Sequence, residues 1–104
     1  LAERGVRATL LLAANSPFRH AVRADVETKY FRSYSDLDFE MRTALSDAAF
    51  GAVIHAAAVS DYRLGSIETD SGETIAPGKK IGSRTGLVLR LEPNPKILAQ
   101  VRKY

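Results

Sequence analysis

The sequence predicts an α/β fold, and three observations carry that prediction. An apolar, β-compatible stretch, Val6–Ala13, comes early, and another, Val53–Tyr62, comes midway. Between them Leu37, Met41, Ala44, Leu45 and Ala48 recur at helical spacing. Strands that are apolar on both faces suit a parallel sheet, and a parallel sheet needs helices to cover it.

Each element follows from its own residues. Leu1–Arg4 reads as the last turn of a helix, closed by Gly5. Val6–Ala13 is expected to be a strand buried on both faces, broken by Asn15-Ser16-Pro17. Alternation at Val26, Thr28 and Tyr30 predicts a second strand over Asp25–Phe31. Ser35 followed by Asp38 gives the start signal of a helix that Gly51 ends.

The run Ala52–Ile54 then leads into three alanines and stops at Ser60-Asp61. This suits a buried central strand that ends in a small-residue turn at the edge where α/β sheets bind ligands. Leu64–Ser83 is polar and carries Gly65, Gly72, Gly78 and Gly82 within it or at its edge. A mobile loop of about twenty residues is expected there, and loops of that length in compact domains are usually functional. Thr85–Leu91 alternates, with Leu87, Leu89 and Leu91 on one face, as a half-buried strand would. Finally, Ile97, Leu98 and Val101 form a helical face over Lys96–Lys103, with Asn94 as cap and Pro95 at the first helical position. The order favours a Rossmann-like three-layer sandwich with a mainly parallel sheet and a long mobile loop.

Composition bounds the function. At 104 residues the chain is long enough for a single small domain, and 45% hydrophobic content argues against disorder. No run approaches the ~20 apolar residues that span a bilayer. Without an initiator Met, the chain reads as a piece of something longer. Zero cysteines exclude disulfides and thiolate metal sites, and fit a cytoplasmic protein. A net charge of +3 and a pI near 9.5 favour anionic ligands, for which phosphorylated small molecules serve as well as nucleic acid.

The candidate residues each have a plain reading beside the functional one. Asp61 is either a turn former or a ligand-facing carboxylate. His55 reads first as a core histidine satisfied by a neighbour, and His20 as a surface residue. With two histidines far apart and no cysteine, no metal cluster of protein ligands is expected. Lys79 and Lys80, between Gly78 and Gly82, are either solvated surface or a loop that closes over phosphate. The Pro95-Lys96-Ile97 start is either an ordinary helix start or a phosphate site. Neither common glycine-rich phosphate motif is present.

Three pieces occur in one order: Ala-Ala-Ala-Val-Ser-Asp-Tyr-Arg (Ala56–Arg63), Lys80-Ile81-Gly82-Ser83, and Pro93-Asn94-Pro95-Lys96-Ile97-Leu98. Together they resemble the phosphopantothenate–cysteine ligase family of coenzyme A biosynthesis, also called phosphopantothenoylcysteine synthetases, over most of the chain. Lys-Ile-Gly-Ser, where many bifunctional members have Lys-Ile-Lys-Lys, looks more like the monofunctional type. The resemblance implies that CTP or ATP, with Mg²⁺, activates 4′-phosphopantothenate as an acyl-nucleotide that L-cysteine then attacks. It implies that His55, Ala56 and Ala57 line the nucleotide site, that Asp61 contacts the nucleotide, and that Lys80 closes on the phosphates and is needed for catalysis. Pro95, Lys96, Ile97 and Leu98 match the segment that holds those phosphates. A homodimer is implied, with the long loop near the partner, and neither nucleic acid nor membrane. The family's upstream glycine-rich and Asn/Ser/Gly-rich segments and its downstream Gly-Phe segment have no counterpart in these residues, so the chain by itself is expected to be a poor enzyme. A Rossmann-like nucleotide-binding or dehydrogenase domain, or a catalytically silent dimerisation module, stands as the alternative.

Overall fold

Parallel pairing appears where the first two apolar segments meet: β1 (Thr9–Ala13) pairs with β2 (Glu27–Phe31), from Thr9 opposite Glu27 to Ala13 opposite Phe31. The computed structural model describes residues 1–104 apart from Ala48, Arg84 and Thr85. The expected helix position at Ala48 and the expected strand start at Thr85 therefore lie outside the described residues.

The chain divides into two compact units, one formed by residues 1–59 with 96–104 and the other by residues 60–95. In the first unit, a 3-10 turn (Ala2–Arg4) ends at Gly5, which takes the left-handed φ of 77° expected of its glycine cap. β1 follows and is half-buried, with Leu10 exposed, rather than buried on both faces. Ser16 accepts a hydrogen bond from the Phe18 N–H at 3.2 Å and opens a 3-10 turn over Pro17–His20. β2 is two residues shorter at its start than the alternation predicts, because Arg23 and Asp25 join in a forked pair (2.9 and 2.8 Å) and hold that stretch as a turn.

Helix α1 (Tyr34–Asp47) starts one residue before Ser35, the expected cap. The hydroxyl of Ser33 accepts from the Asp36 N–H at 3.1 Å, and the Asp36 carboxylate accepts from the Ser33 and Arg32 N–H groups at 3.1 and 3.0 Å. This reciprocal pair is a capping box, displaced by two residues from the one expected. Leu37 and Met41, one turn apart on α1, are buried with Phe31 and Ile97 and form the core of this unit. Leu11, Ala13, Leu45, Ala57 and Val59 pack around it.

The expected central strand at Val53 is not formed: residues 52–60 carry no helix or strand. His55, Ala57 and Val59 are nevertheless half-buried while Ile54, Ala56 and Ala58 are exposed, so the period of two survives without a ladder. A strand exists only by pairing, and among the described residues β1 pairs with β2 alone. The apolar run supplies a face for the core but has no ladder partner among the described residues.

The second unit is an antiparallel pair, β3 (Tyr62–Thr69) and β4 (Leu87–Pro93). Among the described residues, two two-stranded sheets, one parallel and one antiparallel, thus stand where one mainly parallel sheet is expected. The expected loop loses Leu64–Thr69 to β3, and the chain just beyond stays paired, with Thr74 bridging Glu68 and the Ile75 N–H donating to the Ile67 carbonyl at 2.8 Å. A register shift at Gly65 explains how that strand hides in the sequence: Leu64 faces Leu91 and Ser66 faces Arg90, which leaves Gly65 as the extra residue of a bulge. Leu64 and Ile67 thereby share the face of Leu87, Leu89 and Leu91, while Arg63, Glu68, Arg90 and Glu92 occupy the other. β4 is exposed along its length instead of half-buried.

The last helix also differs. The α-helix α2 spans Ile97–Gln100, with Lys96 as N-cap, and runs into a 3-10 turn over Val101–Lys103. Asn94 does not cap it. Its N–H donates to the Asp61 carbonyl at 2.7 Å and its side-chain amide to the Ser60 carbonyl at 3.0 Å, so it closes the base of the hairpin instead.

Candidate functional site

The candidate residues fall on both units. In the first, His55 and Ala57 turn inward and Ala56 outward along the unladdered segment, with Ala57 against the core. Ile97 is committed to that core at 3% exposure, whereas its neighbour Leu98 is 66% exposed. The two residues matched to one phosphate-holding segment therefore have different surroundings: Ile97 anchors the segment, and Leu98 and Lys96 stand at its surface. A helix of four residues carries little dipole, so the dipole argument for an anion site at its start is not supported by the observed geometry.

In the second unit, Asp61 sits at the foot of β3, and its main-chain carbonyl is taken by Asn94. Its side chain lies at the surface. Arg63 is fixed beside it: one guanidinium nitrogen donates to the Pro93 carbonyl at 2.9 Å and another to Glu92 at 2.9 Å. Pro95 ends this unit. Lys80 directly follows a tight turn in which the Lys79 N–H donates to the Ala76 carbonyl at 3.2 Å. Pro77 and Gly78 are the central residues, and Gly78 has a φ of 80°. Proline before a positive-φ glycine is the type II arrangement, so Ala-Pro-Gly-Lys is a turn written directly in the sequence. It presents Lys79 and Lys80 to solvent, beyond the strands rather than within them.

Among the described residues no group of three His, Asp or Glu gathers to hold a metal. None of the described helices is long and apolar enough to cross a membrane. A cleft lies elsewhere, past the carboxyl ends of β1 and β2, and is lined by Arg19, His20 and Arg32 among others. None of the residues that the resemblance assigns to the nucleotide site lines it. The sequence reading takes His20 as a surface residue and passes over Arg19 and Arg32, because the three are scattered across two loops that only the parallel pairing of β1 and β2 brings together.

Against known families, the description "DNA/pantothenate metabolism flavoprotein C-terminal domain" matches over residues 1–104. The chain belongs to that family. The family is linked to pantothenate and coenzyme A metabolism, and it is the one that the three motif pieces resemble. No curated protein and no solved structure gives a significant match.

Proposed function

We propose that this chain is part of a phosphopantothenate–cysteine ligase, an enzyme of coenzyme A biosynthesis. The family match over residues 1–104 carries the reading. In the proposed reaction a carboxylate oxygen of 4′-phosphopantothenate attacks the α-phosphorus of CTP or ATP, and pyrophosphate leaves. The amine of L-cysteine then attacks the acyl carbon, and the nucleoside monophosphate leaves as the amide forms. His55, Ala56 and Ala57 line the nucleotide site in this reading, Asp61 contacts the nucleotide, and Pro95–Leu98 hold its phosphates. Lys80 closes on the phosphates, where positive charge offsets what develops in the first step. Its exposed position past the Pro77-Gly78 turn supports that role. Mg²⁺ fits as a passenger on the triphosphate, the usual way this ion enters a nucleotide site.

The same reading takes a cytoplasmic homodimer and a Rossmann-like three-layer sandwich as the state of the protein at its natural length. The exposed leucine face of the hairpin supports the dimer, since contiguous apolar surface of this kind marks association sites.

The test is a titration with CTP, ATP and NAD in the presence of Mg²⁺, with pyrophosphate release measured, on the protein at its natural length. Preference for CTP or ATP, with release that requires phosphopantothenate, is the expected result. Lys80→Ala is expected to lower turnover about a hundredfold or more while the fold is kept. NAD binding alone, or full activity in Lys80→Ala, would overturn the assignment.

A further inference from the structure

We propose that the cleft at the carboxyl ends of β1 and β2 is a second ligand site, built for a phosphomonoester carried on an apolar or aromatic body. It goes beyond the ligase reading and rests on the cleft alone. The cleft holds about 650 Å³, within the range of small-molecule sites and much larger than a phosphate ion. Ala14 and Arg32, the residues that follow β1 and β2, form part of its wall. Crevices in that position are where parallel α/β layers take ligands.

The charges in the wall decide what kind of ligand fits. Arg19 and Arg32 supply the cationic groups, His20 an imidazole, and Asp36 and Glu40 the acids. Both acids already have partners. Asp36 accepts the Arg32 and Ser33 N–H groups as the helix cap, and Glu40 lies 3.8 Å from Lys29. The cations are less engaged. Among the described residues the Arg32 guanidinium and the His20 imidazole take part in no hydrogen bond or ion pair, although the Arg32 charge helps to keep Asp36 ionised. Arg19 gives one nitrogen to the Ser16 carbonyl at 2.9 Å, which orients its guanidinium and leaves its other N–H groups available. Its two arginines and two acids balance, so what the cleft offers a ligand is unused guanidinium N–H donors rather than net positive charge. Two guanidiniums with an imidazole match a dianionic phosphate better than a single carboxylate. The exposed rings of Tyr30 and Phe39 supply flat apolar walls for the body that fills the remaining volume.

The experiment is a ¹⁵N–¹H NMR titration of the chain with inorganic phosphate, CMP and cytidine in parallel. CMP is expected to shift the amides of Tyr30, Arg32 and Phe39, phosphate to shift Arg32 more weakly, and cytidine to leave all three in place. Arg32→Met is expected to weaken CMP binding about tenfold, the worth of one charge-assisted contact. Arg7→Met removes the same charge before the opposite end of β1 and is expected to bind as the parent does. Shifts confined to residues 55–61 or to Lys80, or equal losses in the Arg32 and Arg7 variants, would overturn the proposal. If Arg32→Met does not fold, Arg19→Met reads the same loss, since its exposed side chain supports no core residue.

Discussion

Asp36 shows how a single carboxylate can set where a helix begins. Two overlapping Ser-x-x-Asp pairs compete, Ser33 with Asp36 and Ser35 with Asp38, and sequence rules score them alike. The structure chooses the first because Asp38 is needed elsewhere: it accepts the Tyr104 hydroxyl and pairs with Arg42 at 3.2 Å. That Tyr104 contact spans 66 positions of sequence, so no local pattern could have revealed it. Backbone N–H donation from Arg32, then from Ser33, holds the Asp36 carboxyl below its ordinary range. A depressed pKa contributes stability above the unfolded value of about 3.9, and the contribution is lost as pH falls through the folded value. Asp36→Asn should therefore be less stable than the parent at neutral pH, with the gap narrowing below about pH 4. Urea midpoints measured across that range check it; a gap that stays constant would show that the cap does not titrate.

Elements were legible where period and pairing agree. β2 and α1 carry their periods openly, and the structure moves only their ends. β3 was hidden because the bulge at Gly65 puts Leu64 and Ile67, three apart, on one face, a spacing that reads as a turn or helix rather than a strand. The Val53 segment failed in the opposite sense: it has the composition and the burial rhythm of a strand and lacks a ladder. The Pro-Gly turn before Lys80 went unread inside the expected mobile loop, although Pro77-Gly78 is a local signal, whereas the Arg19–His20–Arg32 cluster required the parallel register. At this scale the α1 face is the decisive contact, because Leu37 is 1% exposed at the centre of a core with few buried residues. Leu37→Ala is expected to cost about 2–5 kcal/mol, most of the stability a unit this small can hold. Loss of helical circular dichroism at a lower urea concentration is the measurement, and an unchanged midpoint would mean that the core lies elsewhere.

For the whole molecule, family membership was readable from three short pieces, because their order along the chain does not depend on how each one folds. The two-unit division was not readable, since nothing in composition changes at Val59 or at Lys96. What marks the division is the stitching at Asn94, which ties the end of β4 to Ser60 and Asp61 at the start of β3. The hairpin unit thereby closes at its own base, and the chain returns close to where it departed. In engineering terms, residues 60–95 are a cassette. A short Gly/Ser splice in their place costs little closure entropy and keeps Ile97 and Tyr104 attached to their unit. Such a spliced chain should retain the helical signal of α1, and a random-coil spectrum would show that the cassette is structural. Length changes at its tip, between Asp70 and Gly86, can then be tolerated without disturbing the core.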